Sequence, residues 1–248
     1  MTRIATLSET RDNCHNCRLR TLCLPDNLPE EDVGRLAGIV QRRKLVSRGT
    51  LLFQAGQRFS SIYAVRTGAV KTTALMANGD EHISGFHLPG DVIGLDAIVS
   101  RDHPSTAVAL ENASVCEIPY AELETLSDRT PALQHQLMRI MSRELLAEQG
   151  TNQLLTRRSA EQRLAVVLLT FSERFASRGL SAQRFRLPMS RLDLGNYLGL
   201  VPETMSRTFR RLEGQGLVSI AGKEVEIVDI CAMQGLAFGA QGAQAARA

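Results

Sequence analysis

Ser190-Arg191-Leu192-Asp193-Leu194-Gly195-Asn196-Tyr197-Leu198-Gly199-Leu200-Val201-Pro202-Glu203-Thr204-Met205-Ser206-Arg207-Thr208-Phe209-Arg210-Arg211-Leu212 reads as two short helices joined by a tight turn. Ser190 is a favoured N-cap, and Asp193 three residues on completes an approximate capping box. Gly195 removes a side chain where a second helix has to approach. Gly199 supplies the left-handed residue that closes a tight turn. Pro202 suits the first position of the next helix. Leu194, Leu198, Met205 and Leu212 are spaced to form a small core between the two helices. The pattern predicts a helix-turn-helix.

The second helix would expose Glu203, Ser206 and Arg207 on one face near its N-terminal end, because offsets of three and four share a face. A recognition helix presents that end to base edges in the major groove. Arg can donate two hydrogen bonds to guanine, Glu can accept from cytosine, and Ser can do either. Arg210 and Arg211, further along, suit phosphates. The plain alternative is a solvated charged face on a structural helix. The turn glycines and the charge around them argue against it. From Arg157 to Lys223 there are 12 Lys and Arg against 5 Asp and Glu, a balance of +7 in a chain whose net charge is +3. A basic segment beside an acidic remainder suggests a nucleic-acid partner, and the helix-turn-helix makes double-stranded DNA the expected one.

Outward from this stretch, Ser159 to Arg178 carries Leu164, Val167, Leu168, Phe171 and Phe175 at helical spacing. Leu217 to Ile227, with Gly222-Lys223 in its middle, predicts a hairpin wing. Pro131 opens a helix to about Leu155 with two stripes. Leu133, Leu137 and Ile140 form one. Gln134, Met138, Met141, Leu145, Glu148, Asn152 and Leu155 form the other, at heptad spacing. Two stripes mean two surfaces to bury, the second suiting a partner chain in a homodimer. Glu148 would then face its twin across a parallel seam. A single wide core stripe is the alternative. From about Leu45 to Ile118 the chain alternates short strands, such as Leu51-Phe53, Ser61-Val65, Val70-Ala74 and His82-Phe86, with turns at Gly49, Gly56, Gly68, Asn78-Gly79-Asp80 and Pro89-Gly90-Asp91. Such spacing predicts an antiparallel β-roll or jelly roll. The fold class is therefore α+β: an N-terminal antiparallel β-roll sensory domain, a long dimerisation helix and a C-terminal winged helix-turn-helix. The expected divisions are an arm at 1–24, the β-roll at 25–130, the helix at 131–158, the DNA-binding domain at 159–230 and a tail at 231–248. The Ala/Gly/Gln-rich end, Gly239 to Ala248, predicts disorder.

No stretch approaches the ~18 apolar residues of a membrane span, and Met1 to Asn13 lacks an apolar signal core. The expected location is cytoplasmic, with no membrane partner, and thiols there stay mostly reduced. Cys14, Cys17 and Cys23 form C-x2-C-x5-C, and Cys116 lies far along the chain. Three clustered thiols and a remote one make a four-thiolate site that ties the arm to the β domain. Such a site suits a cubane [4Fe–4S] cluster or tetrahedral zinc. Structural zinc more often shows two C-x2-C knuckles, and here there is one. His15 is poorly placed as a ligand. Leu22, beside Cys23, is the candidate for a hydrophobic shield over a cluster. Cys231, in an apolar setting without a partner motif, reads as an ordinary buried cysteine. No convergent acid–base set marks an enzyme, and His82, His87 and His103 read as solvated or hydrogen-bonded.

The cysteine arm followed by Leu24-Pro25, Cys116 before Glu117-Ile118-Pro119, Gly79-Asp80-Glu81 through Gly85-Phe86-His87-Leu88-Pro89-Gly90, Leu194-Gly195-Asn196-Tyr197-Leu198-Gly199-Leu200 and Glu203-Thr204-Met205-Ser206-Arg207 together resemble the CRP/FNR superfamily, specifically its oxygen-sensing fumarate-and-nitrate-reduction (FNR/ANR) subgroup. The likeness runs from about Cys14 to Val228. It implies a [4Fe–4S] cluster on Cys14, Cys17, Cys23 and Cys116, intact without oxygen and converted to [2Fe–2S] by it. It implies a dimer that binds palindromic TTGAT-like sites when the cluster is intact, mainly to activate anaerobic genes. It also implies contact with RNA polymerase through the Gly79-Asp80 loop. A zinc- or thiol-regulated relative is the alternative. One departure bears on ligands. Cyclic-AMP receptors of the superfamily hold the phosphate with an Arg-Ser pair, and here Pro104 precedes Ser105. A proline cannot neutralise a phosphate, so no cyclic nucleotide is expected.

Overall fold

The computed structural model describes residues 28–76, 79–157 and 159–239, with Cys14, Cys17, Leu19 and Cys23 of the arm, and leaves aside the side chains at 41–43 and 151–157. Leu22, Leu155 as a side chain, and the tail from residue 240 lie outside that description.

Helix α1, Glu30–Ile39, leads into eight strands: β1 Gln41–Val46, β2 Leu51–Phe53, β3 Ser61–Thr67, β4 Val70–Leu75, β5 Glu81–His87, β6 Val92–Ile93, β7 Thr106–Ala109 and β8 Ala113–Pro119. They make two four-stranded sheets, in order β1-β8-β3-β6 and β2-β7-β4-β5. β8 pairs antiparallel with β1 and β3, setting Cys116 opposite Arg43 on one side and Ala64 on the other. One apolar core joins Phe53, Tyr63, Val65, Val70 and Val115. A second joins Val33 and Leu36 of α1, Ile62, Leu123, Leu133 and Ile140.

Helices α2, Tyr120–Arg129, and α3, Pro131–Arg157, follow. The two stripes on α3 separate. Leu133 and Ile140 are 3% and 9% exposed, whereas Met138, Met141 and Leu145 are 58%, 49% and 58% exposed. The single wide core stripe is ruled out by that split. Helix α4, Ala160–Ala176, starts on a full capping box between Ser159 and Gln162 and buries Leu164, Leu168 and Phe171. Then come β9 Arg184–Arg186, α5 Arg191–Leu198, α6 Pro202–Gly214, β10 Val218–Ala221, β11 Glu224–Ile227 and α7 Ile230–Phe238. By internal contacts the chain divides into two compact units. One holds the chain up to Val70 with His87–Ser142. The other holds Lys71–Phe86 with the chain from Arg143 onward.

Two expectations are corrected. The stretch assigned to a tail from 231 begins instead with α7, whose N-cap Asp229 accepts from the Ala232 N–H and which packs on α4 through buried Met233 and Ala237. Cys231 is exposed rather than buried. It lies on the first turn of α7, where Met233, not its neighbour, points inward.

Candidate functional site

The helix-turn-helix is built as its residues dictate. The Asp193 N–H donates to Ser190 Oγ at 3.0 Å, and Ser190 N–H donates back to Asp193 Oδ2 at 3.1 Å, closing a capping box at the start of α5. Gly199 ends α5 at φ 63°, and the Leu200 N–H reaches the Gly195 carbonyl at 2.8 Å. A Cβ on Gly195 would stand 2.8 Å from the Leu200 carbonyl oxygen, so only glycine fits under this turn. Pro202 occupies the first turn of α6. Leu194, Leu198, Met205 and Leu212 are all fully buried between the helices.

On α6, Glu203, Arg207 and Arg210 are exposed and Ser206 is half-buried, forming one outward face, of which Glu203, Ser206 and Arg207 lie in the N-terminal half of the helix. Arg211 is also exposed, but its guanidinium donates to Glu161 Oε1 at 2.7 Å. The wing is a three-stranded sheet in order β10-β11-β9, one strand more than the predicted hairpin. β9 is only Arg-Phe-Arg, too short for alternation to mark it, though its burial is outside–inside–outside. Arg184 pairs with Glu226 at 2.7 Å. Lys223 at the wing turn donates to the Pro188 carbonyl at 2.6 Å, and the Arg191 guanidinium lies 5.1 Å from the Phe209 ring centre. The basic count of the segment gave the sign of this surface but not these partners.

The four clustered-and-remote thiols form the second candidate site. Cys14, Cys17, Cys23 and Cys116 are half-buried. Cys14, Cys23 and Cys116 pack against the core that holds Val33, Leu36, Leu133 and Ile140. The Cys23 thiol faces the Gly90 carbonyl at 3.8 Å. Burial first, then the neighbouring Cys17, Cys116 and Cys14, push the Cys23 thiol up to about 12. Burial, Cys116 and Cys17 also raise Cys14. Cys14 and Cys23 therefore both feel charge on neighbouring thiols, which is what a shared electrophilic centre would relieve. No three His, Cys, Asp or Glu side chains among the described residues stand close enough together to hold one metal ion. Cys14, Cys23 and Cys116 share one patch of core, and thiolates are the donors that iron–sulfur clusters and zinc take.

Gly79 and Asp80 are exposed at the turn between β4 and β5, where Gly79 adopts φ 87° and its N–H donates to the Met76 carbonyl at 2.9 Å. Glu148 is exposed on α3, in line with Met138, Met141 and Leu145. His103 overturns the expectation of a solvated or hydrogen-bonded ring. It is 3% exposed, stacks on Phe53 at 3.9 Å and meets Phe59 edge-on at 5.5 Å, and its Nδ1 meets no hydrogen-bond partner among the described residues. Burial lowers its pKa despite Asp96 and Asp102 nearby. Beside it, Ser105 Oγ donates to Asp96 Oδ2 at 2.7 Å, so a carboxylate already holds this hydroxyl. No helix among the described residues is long and apolar enough to cross a membrane.

The chain matches the cyclic nucleotide-binding domain family over residues 43–130 and the Crp-like helix-turn-helix domain family over 162–236. It is 47% identical to the transcriptional activator protein anr of Pseudomonas aeruginosa, across 90% of this chain and 93% of that one. It belongs to the CRP/FNR family of regulators. Within the family, the fumarate and nitrate reduction regulatory protein of Escherichia coli is 44% identical, across 91% of this chain and 90% of that one. Among solved structures, FixK2 from Bradyrhizobium japonicum is similar with a TM-score of 0.72 and 30% identity, covering 79% of this chain and 96% of that one. These relatives are DNA-binding transcription regulators rather than enzymes, and the chain shares their β domain and helix-turn-helix.

Proposed function

We propose that this regulator is an oxygen-responsive activator of anaerobic genes, working in the cytoplasm as a homodimer and holding a [4Fe–4S] cluster on Cys14, Cys17, Cys23 and Cys116. The observation that carries the reading is the packing of two arm thiols, Cys14 and Cys23, and one strand thiol, Cys116, on a single apolar core. The relatives are activators and anaerobic regulators over nearly the whole chain, which favours iron–sulfur chemistry over structural zinc for the same donors. A cluster bound there would supply reactivity toward oxygen, ending in [2Fe–2S].

The chain's own residues do the rest. Met138, Met141, Leu145, Glu148 and Leu155 form the dimer seam, the first three being apolar and exposed. The inner stripe of the same helix rests on the core that carries the thiols, so the packing of the arm and the footing of the seam are linked. Glu203, Ser206 and Arg207 read bases, and Arg210 and Arg211 approach phosphates, Arg211 after leaving Glu161. The target is a palindrome of TTGAT-like half-sites about one helical turn apart. The exposed Gly79-Asp80 turn meets RNA polymerase. Cyclic nucleotides play no part, since Pro104 replaces the needed cation and Asp96 occupies Ser105.

Iron and acid-labile sulfide analysis after anaerobic purification tests this. A brown protein with about four irons and four sulfides per chain is expected. A colourless protein with one zinc per chain would replace the reading with a zinc- or thiol-regulated one.

A further inference from the structure

The β4–β5 hairpin groups with the DNA-reading elements in one compact unit, and specific contacts hold it there. β5 is the edge strand of its sheet. An edge strand presents a row of backbone N–H and C=O groups to whatever lies beside it. Asn196, on α5, reaches two of them: its Oδ1 accepts from the Ile83 N–H at 2.6 Å, and its Nδ2 donates to the Glu81 carbonyl at 2.9 Å. Residues two apart in a strand turn these groups to the same edge. A primary amide carries donor and acceptor side by side, as a peptide group does. Asn196 therefore pairs with β5 as a residue of a further strand would.

Two contacts flank this clasp. Lys71 Nζ, on β4, lies 2.6 Å from Asp193 Oδ1, with both side chains largely shielded. The Phe86 ring, on β5, sits 5.2 Å from Tyr197 and 6.2 Å from Phe171. Asp193 thus serves twice, in the capping box of α5 and in the ion pair with the hairpin. All of these contacts use α5 and α4. Glu203, Arg207 and Arg210 on α6 stay exposed, so the clasp does not cover the reading face.

We propose that Lys71, Asp193 and Asn196 are positioning residues for DNA reading, clasping the helix-turn-helix to the β4–β5 hairpin so that the reader and the Gly79-Asp80 turn move as one piece. The inference rests on the DNA-reading assignment. Two half-sites on a rigid duplex can be engaged together only if both readers are held at fixed spacing. One half-site makes no such demand, so loosening the clasp penalises the two-site complex selectively.

The test uses the anaerobically reconstituted full chain and its Asn196→Ala variant. Amide hydrogen exchange at Ile83 is read first, since it reports the clasp without DNA. Binding is then titrated at fixed salt to a duplex with two TTGAT half-sites and to one with a single half-site. The variant should speed exchange at Ile83 by about tenfold or more, the effect of losing a hydrogen bond worth on the order of 1 kcal/mol or more. It should weaken the two-site complex about tenfold and the single-site complex less than about twofold. Unchanged exchange at Ile83, or equal losses on both duplexes, would overturn the clasp. If Asn196→Ala unfolds the reader, Lys71→Met, outside the helix-turn-helix core, must give the same selective loss, and equal affinities for both duplexes with wild type would sink the proposal. Failure of the wild type to bind either duplex would instead remove the DNA reading, leaving the exchange result to stand alone.

Discussion

Arg207 and Arg210 stand three residues apart on α6, both exposed, and the proposed reading gives them different kinds of contact. Under that reading Arg207 meets base edges, and a bidentate pair with guanine is worth ~1–3 kcal/mol of discrimination. Arg207→Ala should weaken binding to the two-half-site duplex far more than to random DNA. Arg210→Ala should weaken both about equally and lower the salt slope by about 1. Fluorescence titrations across a salt series separate the two, and equal losses in Arg207→Ala would contradict base readout. Gly195 is tested differently. A methyl there meets the Leu200 carbonyl oxygen at 2.8 Å, so Gly195→Ala should destabilise the reader by ~1–3 kcal/mol, seen as a lower thermal midpoint for α5–α6. At this scale the helix-turn-helix was legible because its signals are local chemistry: a cap, a close approach, a left-handed turn. Asn196 and Lys71 were not legible, since a side-chain amide pairing with a strand 115 residues away leaves no periodic trace. His103 was misjudged for a similar reason. Polarity argues for solvent, but the ring stacks on Phe53 from a distant strand.

Helices differ in how openly the chain declares them. α4 and α5 begin on Ser159 and Ser190 with complete capping boxes, and both were expected. α1 and α2 begin after Pro29 and Pro119, which make no side-chain cap, and neither was expected. Their acidic first turns, Glu30-Glu31-Asp32 in α1 and Glu122 in α2, were the available signal, because negative charge favours a helix N-terminus. α7 carries a cap in Asp229, but its short apolar run reads from sequence as the start of a tail. On α3 the two stripes were readable from spacing, and exposure separates them. In a parallel pair, Glu148 would face Glu148 of the other chain, and two carboxylates brought together repel. Glu148→Ala should therefore shift the cluster-free protein toward dimer by about tenfold or more. Sedimentation at matched concentrations decides. If variant and wild type stay equally monomeric, the seam is not limited by this charge.

For the whole molecule, the division at the centre of the proposal is between thiols that matter and one that does not. Replacing Cys14, Cys17, Cys23 or Cys116 with Ser should each prevent full iron loading after anaerobic reconstitution, while Cys231→Ser should leave it intact. A full iron complement in Cys116→Ser would dissolve the link between the arm and β8. Cys231 lies exposed on α7. The core behind Cys116 also fixes where genetic compensation should arise. Cys14, Cys23 and Cys116 lean on the same apolar cluster as Leu133, Leu137 and Ile140 of α3, so the proposed seam helix is footed on a surface that Cys14 and Cys23 of the arm help to fill. A population carrying a damaged cysteine and selected for restored activity has two cheap routes. It can relieve the outer face at Glu148, or it can repack the inner face with a bulkier residue at Leu133, Leu137 or Ile140. Second-site revertants of this regulator should thus fall on one helix, at Glu148 or among Leu133, Leu137 and Ile140, rather than scatter through the β-roll.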